Sequence, residues 1–140
     1  LTGEAKRLFE VGAEVYRREA HCITCHQADG QGLPAAQFPP IAKSEWVTGS
    51  PERLIRIALH GLMGPIEVNG VKYPGQVPMT AFKGLSDQEL AGVLTFVRNS
   101  FGNQASPITP AQVAKERAAT KSQEGFLNPA ELLKQFPHGR

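Results

Sequence analysis

The sequence predicts an all-α fold with one small β-hairpin and a helical C-terminal extension. Three observations predict it. Apolar residues recur at helical spacing in successive segments, helix-capping pairs mark where several of those segments start, and an Asn-Gly dipeptide joins two short β-prone runs. At 140 residues the chain suits one small domain over residues 1–102, with residues 103–140 as an extension packed against it.

The first segment places Leu8, Phe9, Gly12, Val15 and Tyr16 at helical spacing, with charged residues elsewhere, and runs directly towards Cys22. Residues 27–45 carry Gly30, Gly32, Pro34, Pro39 and Pro40 and read as a loop. A second helix starts with Ser50 as N-cap and Pro51 at the first helical position, and stops at Gly61. Leu54, Ile55, Ala58 and Leu59 form its apolar stripe. Ile66-Glu67-Val68 and Val71-Lys72-Tyr73 then flank Asn69-Gly70, which favours a two-residue turn. A third helix starts at Ser86, where Glu89 completes a capping box and Leu85 and Leu90 fit a hydrophobic staple. Leu90, Val93, Leu94 and Val97 form its buried face, and Gly102 is the expected stop. In the tail, Thr109-Pro110 and Asn128-Pro129 each read as N-cap then first helical residue. Val113, Phe126, Leu127, Leu132, Leu133 and Phe136 are its expected contacts with the domain.

The formal charge of +2 comes without a basic run, so no nucleic-acid partner is expected. No segment is apolar for long enough to span a bilayer. No charged-then-apolar leader is visible, which fits either a chain after leader removal or a piece of a longer protein.

Both cysteines of the chain fall in Cys22-Ile23-Thr24-Cys25-His26. Two thiols three positions apart can reach the two vinyl groups on one edge of a haem. The histidine that follows then lies under the iron as proximal ligand. The motif therefore predicts one haem c, covalently attached through Cys22 and Cys25, with His26 on the metal. A zinc site would need three or four protein ligands, and His21, His60 and His138 show no matching spacing. A thioredoxin-like pair would need a strand before the motif, where the pattern is helical.

The order helix, CxxCH, loop, helix, helix resembles that of class I c-type cytochromes, over roughly residues 3–102. Closer strings are Cys25-His26-Gln27-Ala28-Asp29-Gly30-Gln31-Gly32, Phe38-Pro39-Pro40-Ile41-Ala42, Leu59-His60-Gly61-Leu62, Gly64-Pro65-Ile66 and Val97-Arg98-Asn99-Ser100-Phe101-Gly102. These are similar to the single-haem modules fused to bacterial sugar- and alcohol-dehydrogenase propellers, notably of planctomycete-like bacteria. The resemblance implies a class I cytochrome c fold, electron transfer and export from the cytoplasm, to the periplasm or another oxidising space. One departure is that Tyr16 lies six residues before Cys22, where the family pattern sets an aromatic four before it. A short irregularity is therefore expected over residues 18–21.

A ligating histidine normally donates its other ring nitrogen to a second partner. By resemblance that partner is the carbonyl of Pro39, with Pro40 a near-equal choice. For the sixth ligand the chain offers Met63 and Met79 beside the spare histidines. Met63 is tied to the hairpin and reads as core filler. Met79 follows the hairpin in a proline-held stretch just ahead of the Ser86 helix, as the ligand methionine does in the family, and is expected to bind the metal. Here Pro78 precedes Met79 and Val77 fills the usual Met position. Trp46 is a cofactor-binding candidate through its indole N–H towards a haem propionate, against the reading of a packed aromatic. Arg53 and Tyr73 are weaker propionate candidates that read as solvated. His60 reads as a helix-end histidine satisfied by a carbonyl, and His138 as solvated. At Gly12 a missing side chain would let Leu94 or Phe96 of the last haem-domain helix approach.

The function expected is a one-electron carrier, free or as the electron-transfer domain of a dehydrogenase, and not itself an enzyme. Its redox protein partners would be a dehydrogenase on one side and an oxidase or another cytochrome on the other, with the carrier a monomer. The alternative is a five-coordinate haem peroxidase or gas sensor, which needs an open distal site. No distal His-plus-Arg pattern stands in the sequence to serve it. A haem that merely staples a small structural module is a third reading.

Overall fold

A backbone-to-backbone crossing organises the fold. Helix α1 (Gly3–Arg17) buries Leu8, Gly12, Val15 and Tyr16. It lies across helix α4 (Asp87–Arg98), whose Leu90, Val93, Leu94 and Val97 are all buried. At the crossing, a Cβ on Gly12 would fall on the Gly92 carbonyl, and Phe96 Cβ lies beside it. Phe96 makes the approach expected at Gly12. The nearest neighbour is Gly92, the matching small residue on the other helix. The computed structural model describes residues 1–18, 22, 26–27, 29–33, 36, 38–76 and 78–138.

Between these helices the described chain forms a one-turn helix α2 (Glu45–Thr48), helix α3 (Pro51–His60), and strands β1 (Ile66–Val68) and β2 (Val71–Tyr73). Ser44 caps α2 by accepting from the Trp46 N–H, and Ser50 caps α3 by accepting from the Arg53 N–H. The α2 turn falls at the end of the stretch expected to be loop; Ser44 was its local signal. β1 and β2 pair antiparallel with Ile66 opposite Tyr73 and Val68 opposite Val71. Asn69 and Gly70 both take positive φ (53° and 81°), the conformation a two-residue hairpin turn requires.

Helix α4 starts with the Ser86/Glu89 capping box but ends at Arg98, four residues before the expected stop at Gly102. Side chains end it earlier. Asn99 donates to the Thr95 carbonyl, and Asn103 donates to the Val97 carbonyl at 2.7 Å. Phe101 and Gly102 then turn with positive φ.

Helices α5 (Pro110–Ala119) and α6 (Pro129–Gln135) begin at Thr109 and Asn128, with proline first inside each. Ile108, Val113 and Leu132 are fully or almost fully buried. Burying each such side chain is worth about 1.5–3 kcal/mol. Leu127, Leu133 and Phe136 are half-buried against the same body. Phe126 is not enclosed as expected: it is 45% exposed, because its ring lies over Gly61 at the surface. Arg56 of α3 pairs with Glu116 of α5 at 2.7 Å, and Arg117 of α5 with Asp87 of α4 at 2.9 Å.

His60, at the end of α3, is buried among these charges. Its partner is a side chain and not the expected carbonyl: Nε2 lies 2.6 Å from Thr120 Oγ1. The Thr120 hydroxyl gives its proton to the Glu116 carbonyl, so it accepts from His60, and Nε2 carries the imidazole proton. Nδ1 is buried with no hydrogen-bond partner among the described residues. Burial first, then Lys83, Arg56 and Arg117, holds the His60 pKa below its ordinary 6.5. The folded state thus binds fewer protons at this site than the unfolded chain. Stability from neutral His60 is complete above about pH 6.5 and is lost as pH falls through that value towards the lowered folded pKa. Denaturant unfolding at about pH 5 and about pH 7.5 should show a smaller acid loss in His60→Gln than in the parent protein. Equal acid losses in the two would assign the dependence to other groups.

Candidate haem-binding site

The elements surround a pocket whose empty space, open solvent included, is about 800 Å³. Its lining is almost wholly apolar. Tyr16 comes from α1, Leu54, Ile57 and Ala58 from α3, Leu90, Val93, Leu94 and Val97 from α4, and Phe82 from the stretch between hairpin and α4. Cys22, His26, Pro39, Trp46 and Met79 line the same pocket. Cys25 lies outside the described residues, as do His21 and Val77 and most of the expected irregularity before Cys22.

The loop after His26 is built to return to it. Gly32 takes a φ of 70°, its N–H donates to the His26 carbonyl at 3.0 Å, and a Cβ there would strike the backbone of Phe38 and Pro39. The Gly30 carbonyl accepts from both Ile41 and Ala42, closing the loop. Pro39 is thereby set with its carbonyl 2.8 Å from His26 Nδ1. A carbonyl can only accept, so Nδ1 carries the proton. Burial, partly opposed by this hydrogen bond, lowers the His26 pKa and keeps the ring neutral. Nε2 therefore keeps its lone pair, the form in which an imidazole binds a metal. Tyr16 borders the pocket with its hydroxyl donating to the Gln27 carbonyl at 2.7 Å, and burial raises its pKa well above the ordinary phenol value.

The two methionines part company. Met79 lines the pocket and is half-buried, whereas Met63 is 46% exposed and is not the core filler expected. Trp46 presents its ring to the pocket, but its indole N–H is given to the Glu67 carbonyl at 2.9 Å, tying α2 to β1. The expectation that Arg53 and Tyr73 are solvated is overturned, since both are buried. Arg53, at 0% exposure, donates to the carbonyls of Glu45 and Phe136. It meets the ring of His138 at 3.1 Å and lies 4.6 Å from the centre of the Trp46 ring. His138 is exposed, yet it is engaged by Arg53 and stands edge-on to Trp46 at 5.1 Å.

Sequence reasoning missed Arg98 and Asn103. Arg98 is buried on α4 and donates to the carbonyls of Val47, Gly49 and Ser106. Asn103 accepts from the Lys43 N–H and donates to the Ile41 carbonyl. Together they hold residues 41–49, one wall of the pocket, against α4. Arg98 stands in one of the strings shared with the cytochromes, which is the signal that could have drawn attention to it.

An apolar pocket bordered by a neutral imidazole, a thioether and Cys22 has the donor set and the lining that a haem needs. The model of the cytochrome c family matches residues 9–101, and the chain belongs to that family. It is a single-haem electron-transfer protein whose cofactor is covalently bound haem c. This favours electron transfer over the peroxidase or sensor alternative. Among curated relatives, cytochrome c-552 of Thermus thermophilus is 41% identical over 116 residues, covering 76% of this chain and 84% of the relative. The cytochrome c subunit of the quinone alcohol dehydrogenase of Gluconacetobacter polyoxogenes is 39% identical over 109 residues, covering 76% of this chain and 22% of the subunit. The fructose dehydrogenase cytochrome subunit of Gluconobacter japonicus is 30% identical over 112 residues, covering 79% and 22%.

Proposed function

We propose that this chain passes single electrons between redox proteins outside the cytoplasm, through one haem held by Cys22 and Cys25 with His26 and Met79 as its axial ligands. The observation that carries this reading is that His26, with Nε2 unprotonated, and Met79 border one apolar pocket. Bound there, the haem iron supplies one-electron chemistry. The chain's own residues orient His26 through Pro39, exclude water with an apolar wall, and offer a soft thioether that raises the reduction potential. Its cytochrome relatives and its family support reading the protein as an electron carrier. The cytochrome subunits of dehydrogenases among its relatives support a dehydrogenase as electron donor. An oxidase or another cytochrome would serve as acceptor, met through a small transient interface by a monomer. Among the described residues no helix is long and apolar enough to cross a membrane. Covalent haem attachment supports a place in the periplasm or another space outside the cytoplasm.

Acid-acetone extraction of the purified protein should leave the haem on the polypeptide. Haem recovered in the organic phase would refute covalent attachment. In the ferric protein, the weak band at about 700 nm that reports Met–iron bonding should vanish in Met79→Ala, with a lower reduction potential, and persist in Met63→Leu. The reverse pattern would move the ligand to Met63.

The same reading assigns residues 1–102 to the haem domain and residues 103–140 to an extension that is part of its stability. Its support is the burial of Ile108, Val113 and Leu132 and the Arg56–Glu116 pair. A chain ending at Gly102 should melt more than about 4 °C below the full chain. An unchanged melting temperature would make the extension a docking arm.

A further inference from the structure

We infer that the segment Phe126–Pro129 is a strap that positions Met79, acting through the three residues that follow α3. This rests on the reading of Met79 as an iron ligand, and concerns how the chain holds that side chain in place.

The strap and Met79 lie on opposite edges of one short extended segment. Leu62 pairs with Met79 through two backbone hydrogen bonds, Leu62 N–H to Met79 O at 3.1 Å and Met79 N–H to Leu62 O at 2.8 Å. On the other edge, the Leu127 N–H donates to Gly61 O at 3.2 Å, and the Met63 N–H donates to Leu127 O at 3.0 Å. Gly61–Met63 is thus the middle of a three-stranded arrangement, antiparallel to Met79 and parallel to Leu127. An isolated pair of short strands is marginal, and a third strand is what makes such a unit persist.

Side-chain packing repeats the pattern. Gly61 is pressed between the Phe126 ring and the backbone of Met79 and Ala81, where a Cβ would meet all three. Gly64 is covered by Asn128 and Pro129, and Gly64 in turn lies against Gly75, so closely that a Cβ on Gly75 would strike it. The strap therefore backs both ends of the Gly75–Met79 stretch. It is itself held rigid: Asn128 caps α6 by accepting from Ala130 and Glu131, and the Phe136 carbonyl at the far end of α6 accepts from buried Arg53. Leu127 and Met79 both pack against the cluster that holds Trp46, Ile57, Tyr73 and Leu132. Loss of the strap would leave Met79 paired to a segment without its own support. The thioether would then leave its position more often while the α1–α4 crossing stayed intact.

The test is Leu127→Pro in the full-length holoprotein. The substitution removes the N–H that bonds Gly61. Leu127→Ala, which keeps the backbone pairing, is the control. An external ligand enters only where Met79 has moved aside, so its apparent affinity follows the open fraction. Ferric Leu127→Pro should bind imidazole about tenfold more tightly than the parent, and Leu127→Ala within about twofold of it. The Met79 amide should exchange its hydrogen faster by a similar factor, a readout independent of the haem. If Leu127→Pro does not accumulate folded, Phe126→Ala should move both readouts in the same direction. A lower melting temperature with unchanged imidazole affinity and unchanged Met79 exchange would overturn the inference and leave the strap a general stabiliser. If Met79→Ala keeps the Met–iron band, the ligand assignment has failed instead. The Met79 exchange rate then still decides whether the strap holds that segment.

Discussion

The contact on which this structure depends is the crossing of α1 and α4 at Gly12 and Gly92. Two helices can approach to backbone contact only where side chains are missing, and here both partners are glycine. The cost of a glycine inside each helix, about 1 kcal/mol relative to alanine, is offset by the area that close approach buries. The crossing also sets the pocket. α1 delivers the chain towards Cys22 on one side, while the face of α4 that carries Leu90, Val93, Leu94 and Val97 becomes a wall. Phe96 packs at 5.2–5.8 Å against Phe9, Tyr16 and Phe101, tilted to the first two and edge-on to the third, and fills the angle between the helices.

Around that frame the chain keeps the pocket apolar by turning its polar groups away from it. The Trp46 N–H goes to Glu67, Arg98 to the carbonyls of α2 and Ser106, and Arg53 to those of Glu45 and Phe136. Burial opposes the charge on both arginines, and each gives several of its N–H groups to neutral carbonyls, though Arg53 Nε is buried without a partner among the described residues. His26 follows the same rule, with Nδ1 bound to the Pro39 carbonyl and Nε2 left unprotonated. An apolar lining of this kind suits electron transfer better than ligand activation.

The C-terminal extension reaches the pocket only indirectly. α5 braces α3 and α4 through ion pairs and through Thr120 on His60, and Phe136 and His138, just past α6, meet Arg53 and Trp46. The same residues that anchor the tail therefore touch the residues that line the cofactor pocket.

By itself the sequence determined what depends on neighbours a few residues apart. The CxxCH order, the caps at Ser50, Ser86, Thr109 and Asn128 and the Asn69-Gly70 turn each act over two to five positions, so their partners are visible in the string. The tertiary structure decided what depends on distant partners. Arg53 reads as solvated because its acceptors are eight and 83 residues away. His60 reads as a simple helix end because Thr120 lies 60 residues on. Phe126 reads as core because only the fold shows that it meets a glycine at the surface. The end of α4 at Arg98 was set by Asn103, which also binds Ile41 and Lys43, 60 or more residues back. In each case a polar or apolar side chain had two possible environments of similar local cost. The choice between them was made by a group that chain separation had hidden.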